Sequence, residues 1–240
     1  MSTLLYPRVW GHKTLLGLAL SGALLGLSAA FLSQTRSNFI AMLILLMFLL
    51  VASPSRQRLV LAGLGSLTLA FCIGLDSRIG ESLSNFWNGQ FDQSVALRLE
   101  VWRHAFSLFL EAPITGVGAE QYATSVINSV DSGDLSSKIA SCCARHAHND
   151  LLQALAQRGL IGALAWLLVI VIPFTQFVRL IGHENPRVAH LATAGALIPL
   201  AYLGFGLTEA TFEHGIYVTF YLVSITVLTH LTWRSGHEPP

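Results

Sequence analysis

The amino-acid sequence predicts an all-α fold, a polytopic membrane helix bundle with about six spans and one large periplasmic loop. The chain of 240 residues is 53% hydrophobic and only 11% charged, with a mean hydropathy of +0.59. Soluble domains carry about 25% charged residues, so this deficit favours a membrane environment. Six stretches contain no Asp, Glu, Lys or Arg and have lengths suited to about 30 Å of hydrocarbon.

The six charge-free stretches are expected to be helices, because a backbone in lipid must satisfy its own hydrogen bonds. They are 14–32, 37–53, 59–75, 159–178, 188–208 and 215–233. We therefore expect three transmembrane helices within 1–75, a loop at 76–158 and three further transmembrane helices within 159–240. No small-residue cleavage site follows the first stretch, so a cleaved signal peptide is not expected.

Lysine and arginine are unequally distributed between the two sets of helix ends. One set holds seven of them: Arg8, Lys13, Arg56, Arg58, Arg179, Arg187 and Arg234. The short loops at the opposite ends hold only Arg36. Because cytoplasmic loops carry the excess of positive charge, both termini are predicted in the cytoplasm of a bacterial inner membrane. The same rule places 76–158, Glu209, Glu213 and His214 outside.

The large loop has a different composition from the spans. Residues 76–150 contain 14 of the chain's 27 charged residues. Apolar residues at helical spacing predict an amphipathic helix over roughly 94–111, either lying on the membrane surface or capping the bundle. Pro113 is expected to end this helix. The glycines at 116 and 118 are expected to form a flexible turn, and 129–137 a mobile link.

Three residues at the membrane boundary, on the side predicted to be outside the cytoplasm, are candidates for chemistry. Charge at a membrane boundary is costly and is kept mainly for function. Arg36 lies in a short turn between two spans, where the alternative role is an interfacial anchor. Arg98 lies on the loop helix, where the alternative is a solvated surface arginine. His148 lies directly before a helix that enters the membrane, where the alternative is a capping or hydrogen-bonded histidine.

The helix after His148 offers a site for an anion. Asn149 or Asp150 is predicted to cap it, and its free N–H groups and positive dipole end suit a negatively charged ligand. The same dipole is expected to disfavour the charged form of His148 and keep the ring neutral. His146 lies two residues earlier, but no acidic or cysteine cluster accompanies the pair, so no metal site is expected.

The composition argues against several other classes. The net charge of +1 comes without a clustered basic patch, so no nucleic acid partner is expected. Cys72, Cys142 and Cys143 are too few for a disulfide framework and lack zinc-site spacing, although the adjacent pair is able to oxidise outside the cytoplasm. The chain has neither a D-x-D motif for a nucleotide sugar with Mg²⁺ nor a P-loop for ATP, and no cofactor is expected.

Three motifs in order resemble the O-antigen ligase and polymerase superfamily. His148-Asn149, a nine-residue gap and Gly159-x-x-Gly162 are similar to its histidine signature. The Ser-x-x-Arg turn at Arg36 resembles the arginine motif upstream of the family's large loop. Arg98-x-x-x-Trp102, followed by Pro113-Ile114-x-Gly116-x-Gly118, is similar to the start of that loop.

The resemblance covers roughly residues 30–180 and implies a metal-independent glycosyltransferase. Such enzymes move a glycan from a polyprenyl (undecaprenyl) diphosphate donor onto an acceptor hydroxyl of the lipid A core, a growing chain or a protein. It implies that Arg36 and Arg98 bind the diphosphate and neutralise its charge as it leaves. It implies also that His148 takes the proton from the acceptor hydroxyl, with Asn149 as a further substrate-binding residue.

The sequence is compatible with several functions within and outside this superfamily. Its members are longer and have more spans, so the chain is expected to be a piece of a longer enzyme or a shortened relative. A polysaccharide polymerase or a protein O-oligosaccharyltransferase fits the shared motifs equally well. Without glycan transfer, the chain would be a truncated, inactive membrane remnant or a transport component. Transport would call for ionisable residues or helix breaks in mid-span. The sequence offers only His190 and His230, near the cytoplasmic ends, and Pro173 and Pro199 as possible kinks.

Overall fold

The computed structural model describes residues 36–52, 62–63, 65–66, 84, 87–88 and 93–237. Among these residues there are helices and turns but no strand, which confirms the all-α prediction for this part of the chain. The α-helices of at least one turn are α1 (Arg36–Ala52), α2 (Gln93–Glu111), α3 (Ala119–Asp131), α4 (Ile139–Cys142), α5 (Asp150–Val178), α6 (Pro186–Gly206) and α7 (Gly215–His237). A short 3-10 helix, Thr211–Glu213, joins α6 to α7.

Three helices, α5, α6 and α7, are long and apolar enough to cross a membrane. The apolar helix α1 is shorter, at 17 residues. These four helices coincide with four of the predicted spans and make the protein a multi-pass membrane protein. The predicted span 14–32 lies outside the described residues. The predicted span 59–75 also lies outside them, apart from residues 62–63 and 65–66. The total of six spans therefore stays a prediction.

Small residues allow α6 to approach its neighbours closely. A Cβ added to Gly195 would lie 2.4 Å from the ring of Phe177 in α5. A Cβ added to Gly204 would lie 2.6 Å from the Cα of Ala41 in α1. Close packing through small residues is typical of helices that associate within a membrane, where burial of apolar surface supplies little driving force.

The helices α2, α3 and α4 fold around the first part of α5 and form with it a loop subdomain (residues 93–158). Its core consists of buried apolar residues from all four helices and the segment before α5: Val101, Ala105, Leu108, Tyr122, Val126, Ile139, Cys143, Ala147 and Ala156. The helix predicted over 94–111 is confirmed as α2. It ends before Pro113, as expected of a residue that restricts the one preceding it.

The helix α5 leaves helical geometry at Gly159, where φ is 62° and ψ is −158°. In an unbroken helix, the amides of Leu160 and Ile161 would donate to the carbonyls of Ala156 and Gln157. The break frees these four backbone groups, and each such group left buried and unpaired costs about 1–3 kcal/mol. The break therefore needs partners from elsewhere in the chain.

Segment 113–118 supplies those partners. The two freed amides donate to the carbonyls of Pro113 and Ile114, at 2.8 and 3.3 Å. The two freed carbonyls accept from the amides of Val117 and Gly118, each at 2.9 Å. The predicted turn is present, and its residues form a hydrogen-bonded crossing with α5.

Glycine is required on both sides of this crossing. A Cβ on Gly116 would lie 2.3 Å from the backbone nitrogen of Arg158, and one on Gly159 would lie 2.4 Å from the carbonyl carbon of Ile114. Both glycines also have positive φ, of 69° and 62°, which side chains disfavour. The two glycine motifs seen in the sequence are thus two halves of one contact.

Segment 129–137, predicted to be a mobile link, begins in a helix and makes hydrogen bonds, and its mobility stays a prediction. Its first residues belong to α3, which continues to Asp131. Beyond that point, the amide of Leu135 donates to the carbonyl of Ser129 at 2.9 Å. The amide of Ser136 donates to the carboxylate of Glu100 in α2 at 3.1 Å. These contacts tie the turn to the loop subdomain.

Candidate functional site

Arg98 and His148 come from distant parts of the sequence and are joined by one carboxylate. Oε1 of Glu209 lies 3.2 Å from Nη2 of Arg98, and Oε2 lies 2.9 Å from Nδ1 of His148. The side chains of Arg98 and His148 are each 24% exposed, and that of Glu209 is 34% exposed. The cluster is therefore partly shielded from water yet open to a ligand.

Glu209 was given no role from the sequence, although the charge asymmetry predicted that it shares a side with the loop. It lies shortly after the end of α6 at Gly206, and a carboxylate at a membrane boundary is costly. This position at the membrane boundary was the feature of the sequence that could have identified Glu209 as a candidate site residue. The sequence does not show that Glu209 contacts His148, because the contact depends on how α5 and α6 pack.

Trp102 fixes the backbone next to His148. Its indole Nε1–H donates to the carbonyl of Ala147 at 2.8 Å. Trp102 lies one turn after Arg98 in α2, and residues four apart share one face of a helix. The Arg-x-x-x-Trp motif therefore presents the guanidinium of Arg98 to Glu209 and holds the residue before His148 from the same helix face.

The backbone of His148 has an uncommon conformation, with φ of 49°. Few residues other than glycine adopt positive φ, and they are kept there by the surrounding structure, often at functional sites. Gln153, which is 1% exposed, supplies that restraint. Its Oε1 accepts from the amide of Ala147 at 2.5 Å, and its Nε2 donates to the carbonyl of Arg145 at 3.2 Å.

Asn149 is the N-cap of α5, one of the two residues predicted for that position. Its Oδ1 accepts from the amide of Leu152 at 2.9 Å, and its Nδ2 donates to the carbonyl of Leu207 at 3.0 Å. The oxygen of the amide thus caps α5, and its nitrogen joins the start of α5 to the end of α6. The predicted contact of Asn149 with substrate stays a prediction.

The segment that carries Glu209 is held against the start of α5. Asp150, 3% exposed, accepts hydrogen bonds from the hydroxyl of Thr211 and from the amide of Phe212, the latter at 3.1 Å. Nη2 of Arg158 lies 2.7 Å from Oε1 of Glu213. Together with the Asn149 contact, these bonds fix Glu209 beside His148.

The pKa of His148 is raised above the ordinary value of about 6.5. The main cause is the hydrogen bond between Nδ1 and Glu209, against which burial acts. The carbonyl of Cys142, 3.2 Å from Nε2, raises the pKa further. The prediction that the helix dipole keeps His148 neutral is wrong in direction, because a carboxylate in direct contact outweighs a partial charge.

Both ring nitrogens of His148 face hydrogen-bond acceptors, a carboxylate oxygen and a carbonyl oxygen. Only the ring protonated on both nitrogens donates to both. The arrangement suits an imidazolium whose Nδ1 proton is held by Glu209. For Nε2 to accept a proton from a bound hydroxyl, it must exchange the carbonyl of Cys142 for that hydroxyl.

His146 has a different environment. Its ring lies 5.1 Å from that of His214, and burial is the main cause that lowers its pKa. Its Nδ1 is buried without a partner among the described residues. Within the part of the chain that the structure describes, no three His, Cys, Asp or Glu side chains are grouped to hold a metal ion.

The adjacent cysteines Cys142 and Cys143 form a disulfide, the outcome that the sequence left open. Cys143 is buried in the core of the loop subdomain, whereas Cys142 is exposed beside His148. Arg36 is the first residue of α1, but its side chain is not among those described. Its predicted role in binding diphosphate stays a prediction.

The fold and the site define a class: a helical multi-pass membrane protein with an Arg–Glu–His cluster where its loop subdomain meets the bundle. Residues 21–167 match the family model described as O-antigen ligase. The match covers more than half of the chain's 240 residues. The chain belongs to the O-antigen ligase family.

The chain is also similar to an uncharacterized protein of Haemophilus influenzae, with 23% identity over 128 residues. The matched region covers 53% of this chain and 32% of that protein. The chain thus matches about a third of the length of this curated relative. The activity, substrates and partners of the whole protein are accordingly matters for proposal.

Proposed function

We propose that the protein transfers a glycan from a polyprenyl diphosphate donor to a hydroxyl of the lipid A core, at the periplasmic face of the inner membrane. The observation that carries this proposal is the bridge from Arg98 through Glu209 to His148. It joins a permanent cation to a histidine base at one end of the spanning helices. A lipid-linked diphosphate would present its charge at that level.

His148 is the proposed general base. Its Nε2 takes the proton of the acceptor hydroxyl as the acceptor oxygen bonds to the anomeric carbon of the donor sugar. The bond between that carbon and the diphosphate oxygen breaks, and polyprenyl diphosphate leaves with the electron pair. Glu209 holds the proton on Nδ1 and stabilises the imidazolium that forms, as the carboxylate does in a Ser-His-Asp triad.

Arg98 is the proposed partner of the leaving diphosphate, with Arg36 as a second cation. A guanidinium offers five N–H donors in a planar fork that matches phosphate oxygens. In Arg98, Nη2 donates a hydrogen bond to Glu209. Its charge is present at every working pH, so it stabilises the charge that develops as the diphosphate leaves. In this mechanism the arginines supply that stabilisation without a metal ion, and no cofactor is needed.

Asn149 is proposed to act by position. Its hydrogen bond to Leu207 holds the start of α5 against the end of α6, and its bond to Leu152 caps α5. His148 lies just before the start of α5, and Glu209 lies shortly after the end of α6. Loss of the amide would therefore misalign the base and its carboxylate partner, and misplacements of about 1 Å reduce rates up to about 100-fold.

Reconstitution of the chain in vesicles with a lipid-linked glycan donor and lipid A core as acceptor tests the proposal. The expected products are lipid A core carrying the glycan and released polyprenyl diphosphate. Longer glycans still attached to the carrier lipid would indicate a polysaccharide polymerase, and glycan on a protein acceptor would indicate an oligosaccharyltransferase. A correctly inserted protein that transfers glycan to none of these acceptors would contradict the proposal.

A further inference from the structure

The helix α2 has two apolar faces, of which only one is covered by the described residues. Val101, Ala105 and Leu108 form the covered face and belong to the core of the loop subdomain. On another face, Phe106 is 48% exposed and Leu110 is 60% exposed. Large exposed apolar residues at helical spacing mark a surface that is covered by something else.

The exposed stripe continues past the end of α2. Ile114, four residues after Leu110, is 65% exposed. Its carbonyl accepts from the amide of Ile161 at 3.3 Å, and the carbonyl of Pro113 accepts from Leu160 at 2.8 Å. The stripe Phe106–Leu110–Ile114 (the α2 stripe) is thus attached to α5 at the Gly159 break.

The same part of α5 begins a surface of exposed apolar side chains on a helix long enough to cross a membrane, a surface expected to face lipid. Leu160, Ile161 and Leu164 are 48%, 61% and 57% exposed, and they start the membrane-crossing segment of a 29-residue apolar helix. Exposed apolar side chains on such a helix contact acyl chains. The α2 stripe therefore adjoins the lipid-facing surface through the backbone bonds at Ile114.

We propose that the α2 stripe inserts into the adjacent leaflet of the bilayer, so that the C-terminal half of α2 lies at the membrane–water boundary. Of the two placements expected from the sequence, membrane surface or bundle cap, the continuity with α5 favours the surface. Arg103 supports this placement: it is exposed, and it lies seven residues, about two turns, before Leu110 on the same side of the helix. A cation beside an apolar stripe is typical of interfacial helices, where it meets lipid phosphates.

The inserted stripe would set the position of the site relative to the membrane surface. Arg98 lies in the same helix, eight residues or about 12 Å before Phe106 along the axis. A helix lying at the boundary keeps Arg98 at the level of lipid headgroups, where a lipid-linked diphosphate is found. This consequence rests on the proposed function, whereas the lipid contact itself does not depend on any transfer activity.

Photocrosslinking of the full chain in vesicles of phosphatidylethanolamine and phosphatidylglycerol tests the insertion. The variants Leu110→benzoylphenylalanine and Ile114→benzoylphenylalanine place the crosslinker on the stripe. The control Asn128→benzoylphenylalanine places it on an exposed polar position of α3. After irradiation, mass spectrometry of the protein identifies phospholipid adducts at each position.

Phospholipid adducts at residues 110 and 114, with little or none at residue 128, are the expected result. Crosslinks from residues 110 and 114 to another segment of this chain would overturn the proposal, because they would show that protein covers the stripe. The absence of any lipid adduct at both stripe positions would overturn it equally. Neither outcome would bear on the transfer reaction, which is assayed separately.

Discussion

Nδ1 of His148 lies 2.9 Å from the carboxylate of Glu209, a residue 61 positions later in the chain. The contact joins the loop subdomain to the segment between α6 and α7. It also places the carboxylate where it orients the ring and stabilises its charged form. The relative positions of the two residues depend on the contacts of Asn149 and Asp150 with the same segment.

The pH dependence of transfer should report this contact. A general base acts in its neutral form, and Glu209 raises the pKa of His148, so the rate should fall as the pH drops through a value above about 6.5. Glu209→Gln removes the largest cause of the raised pKa. The midpoint of the acid limb should therefore move to lower pH, measured as initial transfer rates across a pH series.

Glu213→Gln is the matched control for that series. Glu213 lies in the same segment and loses the same charge, but its carboxylate pairs with Arg158 and not with His148. The amide oxygen of glutamine still accepts a hydrogen bond from Arg158, so the contact that helps to hold this segment is kept. Its acid limb should stay close to that of the unmodified protein. An unchanged midpoint in Glu209→Gln would show that the Glu209 contact does not control the titrating group.

The two candidate arginines should not tolerate lysine. Arg98→Lys and Arg36→Lys keep the charge but lose the fork that binds diphosphate at two points. Loss of one charged hydrogen bond, about 1.5–3 kcal/mol, should lower the transfer rate about 10- to 100-fold. Arg179→Lys, at an exposed position at the far end of α5, is the control. Full activity of Arg36→Lys would favour an interfacial anchor.

The crossing between α5 and segment 113–118 should be sensitive to a single methyl group. Gly159→Ala places a Cβ against the backbone of Ile114 at φ 62° and ψ −158°, and the backbone strain alone should cost about 1–3 kcal/mol. Thermal unfolding in detergent should show a lowered midpoint. Gly215→Ala, where a Cβ meets nothing within 4 Å, should unfold close to the unmodified protein. Equal midpoints for both variants would contradict the role given to this crossing.

The orientation predicted from lysine and arginine is open to a direct test. Asp131 belongs to α3 in the loop subdomain, and His183 lies between α5 and α6, so one membrane crossing separates them. Reporter fusions at the two positions should report opposite sides, with Asp131 outside. If both fusions reported a cytoplasmic location, the basis for a periplasmic reaction would be removed.

The main helices could be predicted from the sequence, because helix formation here follows from the composition and spacing of residues within each segment. Charge-free stretches of the right length predicted α5, α6 and α7 within a few residues, apart from the first turns of α5. The apolar spacing of 94–111 predicted α2. The crossing at Gly159 was not predicted, since it depends on backbone groups of two segments about 45 residues apart that satisfy each other.

Two residues of the candidate site, Arg98 and His148, were named from the sequence, but their arrangement was not predicted. Arg98 and His148 were found from charge at the membrane boundary and from family motifs, and the structure brings them together. Glu209 and Gln153 were missed as site residues, because their importance lies in contacts made by packing. The direction of the pKa change at His148 was wrong for the same reason.

Transfer by His148→Ala and His146→Ala, assayed side by side in reconstituted vesicles, tests the central claim most directly. His148 contacts Glu209 and is the proposed base, whereas His146 lies against His214. Loss of a general base costs about 10²–10⁴ in rate, so His148→Ala should lose nearly all transfer while inserting normally. His146→Ala should keep a substantial fraction. Equal losses in both would indicate a shared structural role, and undiminished transfer by His148→Ala would contradict the mechanism.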